Sequence, residues 1–104
     1  MSNTNEILFG LETKVLDLIV RTISKNEKVQ KVILFGSRAK GNYKIGSDID
    51  LALFSENLDH DERLKINVQV SGLLLPYKID ILDFNKITNK ELKEHILRVG
   101  KVVG

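Results

Sequence analysis

The sequence predicts a small α/β (α+β) fold, a short mixed sheet covered on one face by helices. Three observations carry this expectation. Segments with helical apolar spacing alternate with β-branched runs along the 104 residues. The apolar runs stop at Gly, Pro or polar clusters. No internal repeat, low-complexity tract or linker interrupts them, so residues 1–104 read as a single domain.

Leu11, Val15, Leu18, Ile19, Thr22 and Ile23 follow a helical period, predicting an amphipathic helix over 11–24 whose start reaches back as far as Ile7 and Leu8. Val29 to Phe35 is rich in β-branched residues and stops at Gly36, a strand entering a tight turn. Ser37 to Gly41 has room for a turn or two of helix, and residues 47–54 (SDIDLALF) read as a second strand. Between 60 and 75 the signals conflict. Leu64, Ile66, Val68 and Val70 alternate as in a strand, but the length, the capping residues Asp59 and Asp61 and the stop at Pro76 favour a helix. Residues 77–84 (YKIDILDF) are again strand-like. Thr88 and Glu91 form a capping-box pattern ahead of a short helix with Leu92, Ile96 and Val99 on one face.

Composition removes several function classes. The absence of Cys excludes disulfides, thiolate metal sites and cysteine nucleophiles, so a metal would sit on oxygen or His. No apolar run approaches the ~18 residues of a membrane span, and MSNTNEILFG lacks the basic start and apolar stretch of a secretion signal, which predicts a cytoplasmic protein with no membrane partner. A net charge of +2 gives no support to extensive nucleic-acid binding. That small total conceals a division. Lys28, Lys31, Arg38, Lys40 and Lys44 form a run of five cations without an anion; Asp48, Asp50, Glu56, Asp59, Asp61 and Glu62 then form a run of six anions without a Lys or Arg. Solvated surface explains either run taken alone.

Alternate residues of a strand share a face, so Asp48 and Asp50 project together while Ile49, Leu51 and Leu53 face the core. Asp80, between Ile79 and Ile81, projects opposite the apolar row of its own strand. Were the two strands neighbours in register, three carboxylates would converge and require a positive charge between them. Hard oxygen donors of this kind suit Mg²⁺ or Mn²⁺ rather than zinc, and Mg²⁺ completes its shell with waters and substrate phosphates, which implicates a nucleotide. The phosphate side would come from Gly36 and Ser37, where backbone can approach a ligand closely, with Arg38 as a further donor. Gly-Ser alone is a common turn, and Asp-x-Asp alone occurs on many surfaces. The specificity lies in their combination with a third acidic strand.

The run Gly36-Ser37-Arg38-Ala39-Lys40-Gly41, followed by Ser47-Asp48-Ile49-Asp50-Leu51, resembles the signature of the polymerase-beta-type nucleotidyltransferase superfamily. Its spacing, the short chain and Pro76-Tyr77-Lys78-Ile79-Asp80-Ile81-Leu82-Asp83 resemble the minimal nucleotidyltransferases, with a small nucleotidyltransferase core spanning nearly the whole chain. The resemblance implies transfer of a nucleoside monophosphate from a nucleoside triphosphate, ATP by the family's habit, to a hydroxyl with release of pyrophosphate. It implies that Asp48 and Asp50 are paired ligands of two Mg²⁺ ions and that Asp80 is the third carboxylate, near the acceptor. Gly36 and Ser37 match the triphosphate-binding turn, and Arg38 and Lys40 are candidates to neutralise polyphosphate, a solvated role fitting Lys40 equally well.

The same resemblance implies a partner of the HEPN type, a helical toxin encoded nearby, with the nucleotidyltransferase as antitoxin and a toxin tyrosine as the AMP acceptor. Two other readings stay open: neutralisation of the partner by occlusion with little catalysis, and transfer to a small-molecule or RNA acceptor. An exposed sheet edge or apolar helix face suits a homo- or a hetero-oligomer, and no residue chooses between them. Of the other polar residues, Asp83 reads as a strand-end or surface group on the face opposite Asp80, His60 and His95 as surface histidines, Tyr43 and Tyr77 as packing residues, and Lys86, Lys90, Lys93, Arg98 and Lys101 as a solvated helix face.

Overall fold

The computed structural model describes residues 6–104; the first half of the MSNTNEILFG segment, residues 1–5, lies outside the described residues. In chain order the elements are β1 (Ile7–Leu8), β2 (Leu11–Glu12), α1 (Thr13–Ser24), β3 (Val29–Phe35), α2 (Gly36–Lys40), β4 (Ile49–Ser55), α3 (His60–Ser71), β5 (Ile79–Asp83), a 3₁₀ turn (Phe84–Lys86), α4 (Lys90–Val99) and β6 (Lys101–Val102). No helix among the described residues is long and apolar enough to cross a membrane.

The main sheet has the order β5-β4-β3-β6. β3 pairs antiparallel with β4 and β6, and β4 pairs parallel with β5, so the sheet is mixed. Side-chain alternation divides the strands into two faces. On one, Val32, Leu34, Ile49, Leu51 and Leu53 pack against Leu16, Ile19 and Ile23 of α1 and Ile66 and Val70 of α3. On the other, Ile33, Phe35 and Ala52 pack against Ile96 of α4. The larger core therefore lies under α1 and α3, while α4 covers the β3 side of the second face, so helices lie on both faces of the sheet and not on one as the sequence suggests.

Segment 60–75 resolves as a helix ending at Ser71, opened by a reciprocal cap in which the Asp59 carboxylate accepts from Glu62 N and Glu62 accepts from Asp59 N. The misleading alternation has a simple origin. Ile66 and Val70, four apart, face the core, whereas Leu64 and Val68 are 54% and 62% exposed.

β4 and β5 begin two residues later than expected, at Ile49 and Ile79, which leaves Asp48 just outside its strand, and three other boundaries differ from the sequence expectation. Residues 7–12 form a two-stranded hairpin, not an early helical turn, because Phe9 and Gly10 both take positive φ (57° and 74°), the backbone of a two-residue primed turn. The last helix is capped by Asn89, whose side chain accepts from Leu92 N at 3.0 Å, one residue beyond Thr88. Lys101, read as part of a helix face, lies in β6, where Ile33 pairs with Val102 and Leu34 with Lys101.

Candidate active site

β3 delivers its last residue, Phe35, directly opposite Asp50 of β4. The chain then turns at Gly36, and two constraints demand glycine there. Its φ is +74°, and a Cβ at this position would collide with Asp50 Oδ2. The turn and the carboxylate thus form one unit, with bare backbone against acid. α2 follows and closes at Gly41, whose N–H donates to Ser37 O at 3.0 Å. Ser37 is half-buried, and no hydrogen bond from its hydroxyl is seen among the described residues.

Asp50 and Asp80 are register partners on the parallel β4–β5 pair, so they sit side by side on the second face of the sheet. Beneath them Ile49 and Ile79 pair on the core side, and Ile49 is fully buried. Asp48 lies one residue before β4 and reaches toward Lys78, whose Nζ is 3.9 Å from Asp48 Oδ2. Burial raises the Asp50 carboxyl above its usual range, and the charges of Asp80 and Asp48 raise it further, against a smaller opposing effect of Lys78. The cluster has the electrostatics of a site short of positive charge. Among the described residues no three acidic or histidine side chains are already gathered tightly enough to hold one ion. The donor set, three carboxylates without sulfur or imidazole, nevertheless fits a hard divalent cation.

Arg38, expected as a phosphate donor, is engaged elsewhere. It is 2% exposed; Nε and Nη2 donate to Ser47 O at 3.2 and 2.8 Å, and Nη1 donates to Phe9 O at 2.9 Å. The rings of Tyr43 and Tyr77 lie 5.4 Å from its guanidinium carbon, so both tyrosines pack on the arginine. Arg38 therefore ties α2 to the β1–β2 turn and to the residue before Asp48. Ser47 is held from its other side as well, its Oγ accepting from Lys44 N at 2.8 Å. Lys40 is exposed.

The remaining polar residues have other neighbours. Asp83 is a strand-end group that is buried rather than on the surface; its Oδ1 accepts from Asn85 N at 3.1 Å, and Arg63 Nη1 lies 3.8 Å from Oδ2. His60 is exposed at the start of α3, while His95 is half-buried with its ring edge-to-face to Phe35 at 6.4 Å. The sequence reading gives Lys78 no role, although a signal exists: it stands two residues before Asp80, on the same side of the extended chain.

Known proteins resemble this chain in sequence and in fold. Residues 17–104 match the family model for polymerase beta, nucleotidyltransferase. A protein of Haemophilus influenzae named as a probable protein adenylyltransferase, MntA, is 40% identical over 70 residues, which cover 66% of this chain and 60% of that protein. The match thus spans less than two thirds of that relative's length. A solved structure of a toxin–antitoxin with AMP-PNP superposes with a TM-score of 0.68 at 25% identity, covering 88% of this chain and 72% of the other. An MNT antitoxin solved in complex with the tri-AMPylated HEPN toxin of Shewanella oneidensis gives a TM-score of 0.65 at 23% identity, covering 86% and 68%, a likeness of fold. With the family model covering most of its length, the chain belongs to the polymerase beta nucleotidyltransferase family.

Proposed function

We propose that this chain transfers AMP from ATP to a tyrosine hydroxyl of a HEPN-type toxin and is the antitoxin of that pair. The observation that carries the reading is the side-by-side register of Asp50 and Asp80, with Asp48 two residues before Asp50 and the Gly36 backbone packed on Asp50. Family membership, the AMP-PNP-bound neighbour and the AMPylated toxin of the Shewanella complex support the nucleotide and the partner.

In this mechanism Gly36 and Ser37 receive the triphosphate, the first through backbone that no Cβ obstructs and the second through its hydroxyl. Asp48, Asp50 and Asp80 would hold Mg²⁺, or Mn²⁺ in its place. Bound divalent ions supply charge stabilisation for both the entering and the departing oxygen of an in-line displacement. The acceptor oxygen forms a bond to the α-phosphorus, the α–β phosphoanhydride bond breaks, pyrophosphate departs, and Asp80 draws off the hydroxyl proton. Arg38 acts at one remove, keeping the segment that carries Asp48 against α2.

Incubation with labelled ATP, Mg²⁺ and the neighbouring helical protein should label that protein, and intact mass should rise by one or more AMP units. The double variant Asp48→Asn, Asp50→Asn should abolish labelling. Labelling that survives it refutes this site. A double variant that no longer labels yet still protects cells from the toxin would favour neutralisation by occlusion.

A further inference from the structure

We infer that Lys78 is a positioning residue that occupies the Asp48 carboxylate while the site is empty and releases it on loading, so that cation binding is coupled to nucleotide arrival. The inference rests on the functional reading above and deepens it. Three features support it. Lys78 Nζ lies 3.9 Å from Asp48 Oδ2, and no other ion pair to Asp48, Asp50 or Asp80 is seen among the described residues. The Lys78 backbone is fixed, its carbonyl accepting from Ile49 N at 2.9 Å, but its side chain is 71% exposed and can swing without breaking packing. Lys78 and a divalent ion would also claim the same carboxylate, and two cations cannot share it cheaply.

A bare ion must therefore displace the ammonium group, whereas a triphosphate offers that group a new anionic partner within the same site. Losing the competitor should tighten metal binding in the absence of nucleotide and shrink the enhancement that nucleotide brings. Screening by solvent limits the effect of an exposed lysine, so roughly a three- to ten-fold change is expected.

The test is calorimetric titration of the full chain with Mn²⁺, with and without a non-hydrolysable ATP analogue, for wild type, Lys78→Met and Lys78→Arg. Lys78→Met should bind Mn²⁺ alone about three- to ten-fold more tightly and show a smaller nucleotide enhancement, and Lys78→Arg should stay near wild type. Unchanged or weaker Mn²⁺ binding by Lys78→Met, with wild-type binding intact, overturns the inference and leaves the functional reading standing. Wild-type Mn²⁺ binding that is absent, or indifferent to Asp48→Asn, overturns the functional reading and this inference with it.

Discussion

Replacing Arg38 by Met keeps an unbranched apolar stem in the same space and removes the guanidinium. Three donated hydrogen bonds disappear, two to Ser47 O and one to Phe9 O, leaving two inward-facing carbonyls without that donor. A bond from a charged donor is worth about 1.5 kcal/mol or more. Because two of the three share one acceptor, counting acceptors gives a loss of about 3 kcal/mol. For a domain of this size each kcal/mol corresponds to about 4–8 °C, so the midpoint should fall by roughly 12–24 °C. Arg38→Lys should recover about half of this loss, since one ammonium cannot span both carbonyls. Thermal melts by circular dichroism, without nucleotide or metal, read the effect. A Met variant that melts within about 3 °C of wild type while losing ATP affinity would refute the clamp and return Arg38 to the phosphate.

Three further outcomes follow from the same geometry. The raised Asp50 carboxyl contributes stability in full below the ordinary Asp value of about 3.9, and that contribution is lost as pH rises through the folded value. In EDTA at pH 7, Asp50→Asn should therefore melt above wild type, and the gap should close below about pH 4; an equal gap at both would be inconsistent with the burial and repulsion described. Gly36→Ala should cost about 2 kcal/mol or more in denaturant unfolding, from a positive φ and a Cβ set against Asp50, and should abolish AMP transfer through displacement of that carboxylate. Asp83→Ala should cost about 1–2 kcal/mol by freeing Asn85 N–H, yet preserve transfer, since Asp83 lies on the opposite face of the sheet.

Much of this arrangement is legible in local sequence. β3 and β4 are marked by runs that end in turns, and Asp50 and Asp80 each interrupt an apolar row, which fixes the face they share once the strands are neighbours. Features that depended on distant partners were not legible. Arg38 reads as a phosphate donor because nothing local reveals that Phe9, 29 residues away, supplies a carbonyl. The final strand is too short to announce itself and exists because β3 offers a free edge to Lys101 and Val102. Segment 60–75 imitates a strand because its exposed face carries apolar residues at positions that a purely solvated helix would give to polar ones.

The parallel pairing of β4 with β5 has a kinetic side. Asp50 and Asp80 are 30 residues apart in the chain, and parallel strands meet only through a crossover, here α3. The two like charges are consequently brought together by a long-range closure, on a strand that has one neighbour among the described residues. Repulsion between them works to peel β5 from the sheet edge, and a cation bound between them would work as a clasp. Amide exchange along Ile79–Asp83 should slow on metal addition more than exchange in β3, so the edge of the sheet would report the loading of the site.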